Sequence, residues 1–200
     1  MSIEHSILAV ISYRASSGYD IKSEFEHKAA GLYWGLSYGS LYPKLKKLEE
    51  EGYITTLEED KDGRKKKLYD LTGKGWRELE SWLAQTPVPP VIKDELFMKM
   101  AAWHKEMDSA TLCGHLKARE SESQELLSYI KHWKQNKTSF INSVGMLAIR
   151  YAELKLEAEL QWITESLEAI QGNEMPVGQD PFKLEEKQLE RRKIAIMKDN

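Results

Sequence analysis

The chain has 200 residues, 41% of them hydrophobic and 30% charged, with a formal net charge of −3. That length and apolar content suffice for two small domains with buried cores. No run approaches the roughly 18 apolar residues of a membrane span, and the amino terminus lacks a basic stretch followed by an apolar one, so a cytoplasmic protein without a membrane partner is expected.

In chain order, Ile3, Ile7, Leu8, Val10 and Ile11 predict a first buried helix. Gly18 to Phe25 predicts a second, with Ile21 and Phe25 on one face. Leu41, Leu45 and Leu48 recur at i, i+4, i+7 and predict a third helix docked along that stripe. Pro43 lies inside this segment, where a proline costs roughly 3 kcal/mol unless it sits in the first turn. Either Ser40 is the N-cap, leaving Pro43 in the first turn, or the helix starts at Ser37 and is distorted at Pro43, and the start at Ser37 is favoured. Tyr53 to Leu57 then reads as a strand, Asp60-Lys61-Asp62-Gly63 as a turn, and Lys67 to Leu71 as the returning strand. Thr72 is a candidate cap for a fourth helix carrying Trp76, Leu79, Trp82 and Leu83 on a buried stripe. Three helices followed by a hairpin with a basic loop, Gly63-Arg64-Lys65-Lys66-Lys67, make a winged helix-turn-helix.

Tyr38, Ser40, Tyr42, Lys44 and Lys47 fall largely away from the leucine stripe. Hydroxyls there suit base edges or phosphates, and lysines replace counterions along a DNA backbone. Gly39 leaves room for a close approach to that backbone. A solvated lysine-rich face is the competing reading. Charge adds a condition, because residues 1–85 hold 13 Lys and Arg against 14 Asp and Glu, and the remainder holds 16 against 18. DNA binding then requires segregation, with Lys44, Lys46, Lys47 and Arg64 to Lys67 on one side and Glu49, Glu50, Glu51, Glu58 and Glu59 turned elsewhere.

Pro87, Pro89 and Pro90 end the fourth helix and set a stiff connector. Beyond it the pattern is all helical. Leu96, Met100 and Trp103 share one face, Leu112, Leu116, Leu126, Leu127 and Ile130 mark a second helix, and residues 141–170 supply a long third. That third helix carries two offset stripes, Val144, Leu147, Tyr151, Leu154 and Ala158, and Leu156, Leu160, Ile163, Leu167 and Ile170. The second stripe is assigned to a dimer interface, with coverage of both stripes inside one chain as the alternative. Trp103, His104, Trp133, Arg150 and Tyr151 are the candidate site for a small aromatic effector, since an aromatic acid needs flat apolar walls and a donor for its carboxylate. Their competing reading is ordinary core and surface ion pairing. Residues 173–200 break helix repeatedly before Leu184 to Met197 resumes one, and are expected to form a loosely attached, partly disordered tail.

Ser17-Gly18-Tyr19-Asp20-Ile21-Lys22, Gly39-Ser40-Leu41-Tyr42-Pro43-Lys44-Leu45-Lys46-Lys47-Leu48-Glu49 and Leu68-Tyr69-Asp70-Leu71-Thr72 resemble segments of the PadR-like transcriptional regulators. Lys93 to Lys99 resembles the opening of the carboxy-terminal domain of that family's long-chain subfamily. The resemblance implies a mainly helical protein with a small β-hairpin: a winged helix-turn-helix over residues 1–86, a helical dimerisation and effector domain over 87–172, and a tail over 173–200. It further implies a homodimeric repressor that binds a palindromic operator in double-stranded DNA. The DNA-contacting set is then Tyr19, Ser37, Tyr38, Gly39, Ser40, Tyr42, Lys44, Lys47, Arg64, Lys65 and Lys66. The alternative is a winged-helix protein-interaction module that no longer binds DNA. Cys113 is the only cysteine and the five histidines are scattered, so no metal or other cofactor is expected. With no recognisable nucleophile, phosphate-loop or dinucleotide motif, the chain is not expected to be an enzyme.

Overall fold

The computed structural model describes residues 3–26, 41–61, 64–90, 94–136 and 141–199. Those residues hold eight helices and one two-stranded antiparallel sheet. The chain divides into two compact units, residues 1–91 and 92–200.

The first unit contains α1 (Ile3–Ile11), α2 (Gly18–Glu26), α3 (Leu41–Glu50), β1 (Ile54–Lys61), β2 (Arg64–Leu71) and α4 (Gly73–Ala84). The expected stripes meet in one core, where Ile7, Leu8, Ile11, Ile21, Phe25, Leu41, Leu45, Leu48, Ile54, Leu71 and Leu79 are buried together. Burying a side chain of this size contributes roughly 1.5–3 kcal/mol, and that drives the docking of three short helices too short to persist alone. Pro43 lies near the start of the described part of α3, where a missing N–H removes little. The expected start at Ser37 lies outside the described residues. Thr72 caps α4 as expected, accepting from the Gly75 N–H at 3.1 Å. Gly75 is needed there because a Cβ would run into the Tyr53 carbonyl, so α4 packs directly on the entry to the hairpin. Of the expected α4 stripe, Leu79 is buried and Trp82 packs on the core, while Trp76 and Leu83 are exposed.

The hairpin is longer than the sequence pattern indicated. Its strands pair from Ile54↔Leu71 out to Lys61↔Arg64, so the basic run expected in a loop is strand β2 itself. In this register Glu58 stands opposite Lys67, Glu59 opposite Lys66, Asp60 opposite Lys65 and Lys61 opposite Arg64.

The second unit contains α5 (Glu95–Ala101), α6 (Ser109–Asn136), α7 (Ser143–Gly172) and α8 (Leu184–Asp199). Helices α6 and α7 run antiparallel, pinned by Arg119 to Glu159 at 3.1 Å at one end and by Lys134 to Glu153 at 2.8 Å at the other. Arg119 also donates to both oxygens of Asp94, the N-cap of α5, at 2.8 and 2.9 Å. One guanidinium thus ties three helices, with Nη2 on Asp94 and Nη1 on Glu159.

One expectation for this unit is corrected. The stripe assigned to a dimer interface faces the unit's own interior: Ile163 is fully buried against Leu96, Leu112 and Leu116, Leu156 is buried, Leu167 and Ile170 pack on the same cluster, and Leu160 is half-buried. The other stripe, with Val144, Leu147, Tyr151, Leu154 and Ala158, is the exposed one. Spacing alone defines two faces of a helix without saying which is inward. The tail is helical over part of its length, as the pattern from Leu184 to Met197 indicated, and all but Leu189 of its described side chains there are exposed. Over Leu184–Asp199 it forms α8, which buries Leu189 and is held by Arg192 to Glu106 at 2.7 Å.

Candidate nucleic-acid interface

The outer surface of α3 and the two elements beside it form the candidate interface. Tyr42 and Lys46 lie one turn apart on the side of α3 away from the leucines, and both are exposed, Lys46 at 79% of its side chain. The Tyr42 ring lies over the start of α2, where a Cβ on Gly18 would come within 2.8 Å of it. Tyr19, next in the chain, is 74% exposed beside this junction.

The start of α2 is also where the wing is fastened. Ser16 and Tyr69 exchange backbone hydrogen bonds at 3.0 and 2.9 Å, sewing the approach to α2 onto β2. The Ser17 hydroxyl accepts from the Asp20 N–H at 3.2 Å, and the Asp20 carboxylate accepts from the Ser17 N–H at 3.1 Å and its hydroxyl at 2.6 Å, a reciprocal cap. The same carboxylate takes the Lys66 ammonium at 2.9 Å. These bonds, led by the Ser17 hydroxyl and joined by Lys66, hold the Asp20 carboxyl down at about 2.

The assumed segregation of charge does not hold. Lys44 bonds Glu4 of α1 at 2.6 Å, Lys47 stands 3.8 Å from the same carboxylate and 3.7 Å from Glu51, and Lys46 is 3.7 Å from Glu50. Lys67 bonds Glu49 at 3.2 Å, and Thr56 donates to the same carboxylate. Thr56 first and Lys67 second draw the Glu49 carboxyl below its ordinary range. Two of these pairs, Lys46–Glu50 and Lys47–Glu51, follow from i, i+4 spacing on α3, and the pairs made by Glu4 and Glu49 join different elements.

Of the expected DNA-contacting residues, Tyr19, Tyr42, Lys44, Lys47 and Lys66 are placed on this surface region, with Lys44 and Lys47 turned toward α1. Ser37, Tyr38, Gly39 and Ser40 lie outside the described residues. Arg64 and Lys65 are described only as backbone of β2. The expected set omitted Lys46, whose i, i+4 relation to Tyr42 was readable, and Asp20, whose partner is 46 residues away.

A family model described as "Transcriptional regulator PadR-like family" matches residues 7–81, and one described as "Virulence activator alpha C-term" matches residues 92–171. The amino-terminal unit belongs to the PadR-like family of transcriptional regulators. It is 39% identical over 101 residues to the negative transcriptional regulator PadR of Bacillus subtilis, a match covering 48% of this chain and 54% of that protein. The chain spans about half the length of the curated relatives it matches. Among solved structures, a PadR-like regulator from Bacillus cereus shares the fold with a TM-score of 0.76 at 22% identity, over 84% of this chain and 94% of that one. Bacillus subtilis PadR in complex with operator DNA aligns with a TM-score of 0.69 at 27% identity, over 84% and 98%. The same protein in complex with p-coumaric acid aligns at 0.64 and 26%, with the same coverage.

The five residues expected to hold an effector do not gather in this PadR-like chain. Trp103 packs with Leu96, Leu112, Leu116 and Ile163 and meets His115 edge-on, with His104 next to it. Trp133, Arg150 and Tyr151 belong to the other end of the α6–α7 pair. Leu116 and Trp133 are 17 residues apart on α6, roughly 25 Å at about 1.5 Å per residue. Arg150 is engaged by Glu153 at 3.4 Å and Glu157 at 3.7 Å, and Tyr151 is 64% exposed. Among the described residues no cluster of His, Cys, Asp and Glu fits a metal ion, and no helix is long and apolar enough to cross a membrane.

Proposed function

We propose that this chain is a sequence-specific DNA-binding transcriptional regulator, a repressor that binds a palindromic operator as a homodimer. The observation that carries the reading is the convergence of exposed Tyr42 and Lys46 on α3 with Tyr19 at the start of α2 and Lys66 on the wing, within a unit of PadR-like fold. A helix flanked by a wing supplies one part for the groove and another for flanking phosphates. The operator complex of Bacillus subtilis PadR supports the DNA partner, and that protein's description as a negative regulator supports repression. For the homodimer, the face we assign is the exposed stripe Val144, Leu147, Tyr151 and Leu154, because a two-fold contact needs apolar surface that the unit's own core leaves open. A small aromatic acid is the proposed effector class, on the strength of the p-coumaric acid complex of the relative.

The test is a gel shift or footprint on DNA upstream of the gene that encodes the chain, with shuffled DNA of equal length as control. A clear preference for the natural sequence is the expected result, and equal binding to both would refute the reading. One observation favours a second reading, a winged-helix module for protein contacts: the acids interleaved among the lysines leave this surface close to neutral. Such a module would bind neither DNA.

A further inference from the structure

The two wing lysines with described side chains are neighbours in β2, so their side chains leave opposite faces of the hairpin. Each is met there by a carboxylate from a different helix. Lys66 reaches Asp20 of α2 at 2.9 Å, and Lys67 reaches Glu49 of α3 at 3.2 Å while its ammonium lies 4.9 Å from the Tyr69 ring centroid. The partners are 46 and 18 residues apart in sequence, so these contacts are made by the fold and not by local spacing.

Both carboxylates are held independently of the lysines. Asp20 is part of the reciprocal cap with Ser17, and Glu49 accepts from the Thr56 hydroxyl on β1. Neither acid swings away cheaply when a lysine finds another anion. Both pairs are also partly open to solvent, with side-chain exposures of 46% and 32% for Lys66 and Asp20, and 52% and 35% for Lys67 and Glu49. A DNA phosphate can therefore reach either ammonium, but it meets a fixed carboxylate beside it. Binding along this edge is an exchange of one anion for another, so each lysine contributes less than a free lysine does to sequence-independent attraction.

We propose that Asp20 and Glu49 are specificity-determining residues that hold the wing lysines as intramolecular ion pairs and so keep binding to non-operator DNA weak. The inference rests on the DNA-binding reading above. On an operator, base contacts from α3 offset the exchange; on other DNA nothing does, so the acids penalise wrong sequences more than right ones.

The full-length chain serves for the test, with Asp20→Asn, Glu49→Gln and the double variant. Asparagine and glutamine keep an acceptor for Ser17 and Thr56 while removing the charge, and circular dichroism melting checks that both units stay folded. Fluorescence anisotropy over a range of salt is then read on upstream DNA and on shuffled DNA. Affinity for shuffled DNA should rise several-fold in each variant, its dependence on log salt should steepen by up to about 0.9 per released lysine, and preference for upstream DNA should fall. In a Lys66→Gln background, Asp20→Asn should change nothing further, which separates the ion pair from a general loss of negative charge. Unchanged or weaker binding of shuffled DNA by folded variants overturns the inference and leaves the DNA-binding reading standing. A wild-type chain with no preference for upstream DNA removes both.

Discussion

Replacing Leu147 with glutamate tests which face of α7 meets a second copy. Leu147 is 71% exposed and lies on the side of α7 opposite buried Ile149, Leu156 and Ile163. Full burial of a leucine contributes roughly 1.5–3 kcal/mol, so covering what remains exposed contributes about 1–2 kcal/mol. A two-fold interface uses the residue twice, which brings the loss to about 2–4 kcal/mol, or roughly 30- to 1,000-fold in the dimer dissociation constant. A carboxylate forced into the contact adds its desolvation cost. Sedimentation velocity across a concentration series should show the wild-type chain as a dimer and the variant as a folded monomer, with helicity unchanged. The comparison variant is Ile163→Ala, at a fully buried position, which should cost about 2–5 kcal/mol of stability without a primary effect on association. If Leu147→Glu sediments as the wild type does at every concentration, the exposed stripe is not the interface. If the wild-type chain is itself monomeric, the homodimer is wrong.

Three further outcomes are expected. Gly75→Ala should lower the melting point of the amino-terminal unit, by a free energy of about 1–3 kcal/mol, because its Cβ would occupy the place of the Tyr53 carbonyl; an unchanged urea midpoint would show that α4 shifts freely. Arg119→Met should destabilise the carboxy-terminal unit by about 1–3 kcal/mol, since Asp94 and Glu159 lose a shared partner in a partly buried site, and a neutral result in urea would make the triad superficial. Asp20, held at about 2 against an ordinary 3.8, contributes stability that is complete above pH 4 and is lost as the pH falls through about 2. The stability gap between wild type and Asp20→Asn should therefore shrink on acidification from pH 5 to pH 2, and a gap constant over that range would mean the carboxylate charge contributes nothing.

Where burial is imposed by local period, the sequence pattern was enough to find it. The leucines at 41, 45 and 48, Ile21 with Phe25, and the Thr72 cap all emerge where i, i+4 spacing or a single side-chain-to-backbone bond decides the outcome. The hairpin was cut short for the converse reason. Glu58 to Lys61 and Arg64 to Lys67 have poor strand propensity one residue at a time, and their pairing is visible only once the register with the partner strand is known. The α7 stripes failed in a related way, because which of two apolar faces is inward depends on Leu96, Leu112 and Leu116, residues on other helices.

The same dependence on distant partners governs the candidate site. A net charge close to zero over residues 1–85 looked like a difficulty for a DNA reader, to be solved by placing acids and lysines on separate sides. Instead Glu4, Asp20 and Glu49 each stand against a lysine from another element, at sequence separations of 40, 46 and 18. Ion pairs as open to solvent as Lys66–Asp20 and Lys67–Glu49 contribute little to stability, typically under about 1 kcal/mol, so fold stability alone gives weak reason for them. Their effect on an approaching polyanion is larger, because each pair replaces a free cation with a near-neutral dipole and lowers the counterion release that drives unselective binding. A surface built this way has to obtain its affinity from contacts that only the right sequence supplies, and exposed Tyr42 and Lys46 on α3 are the residues we propose for them.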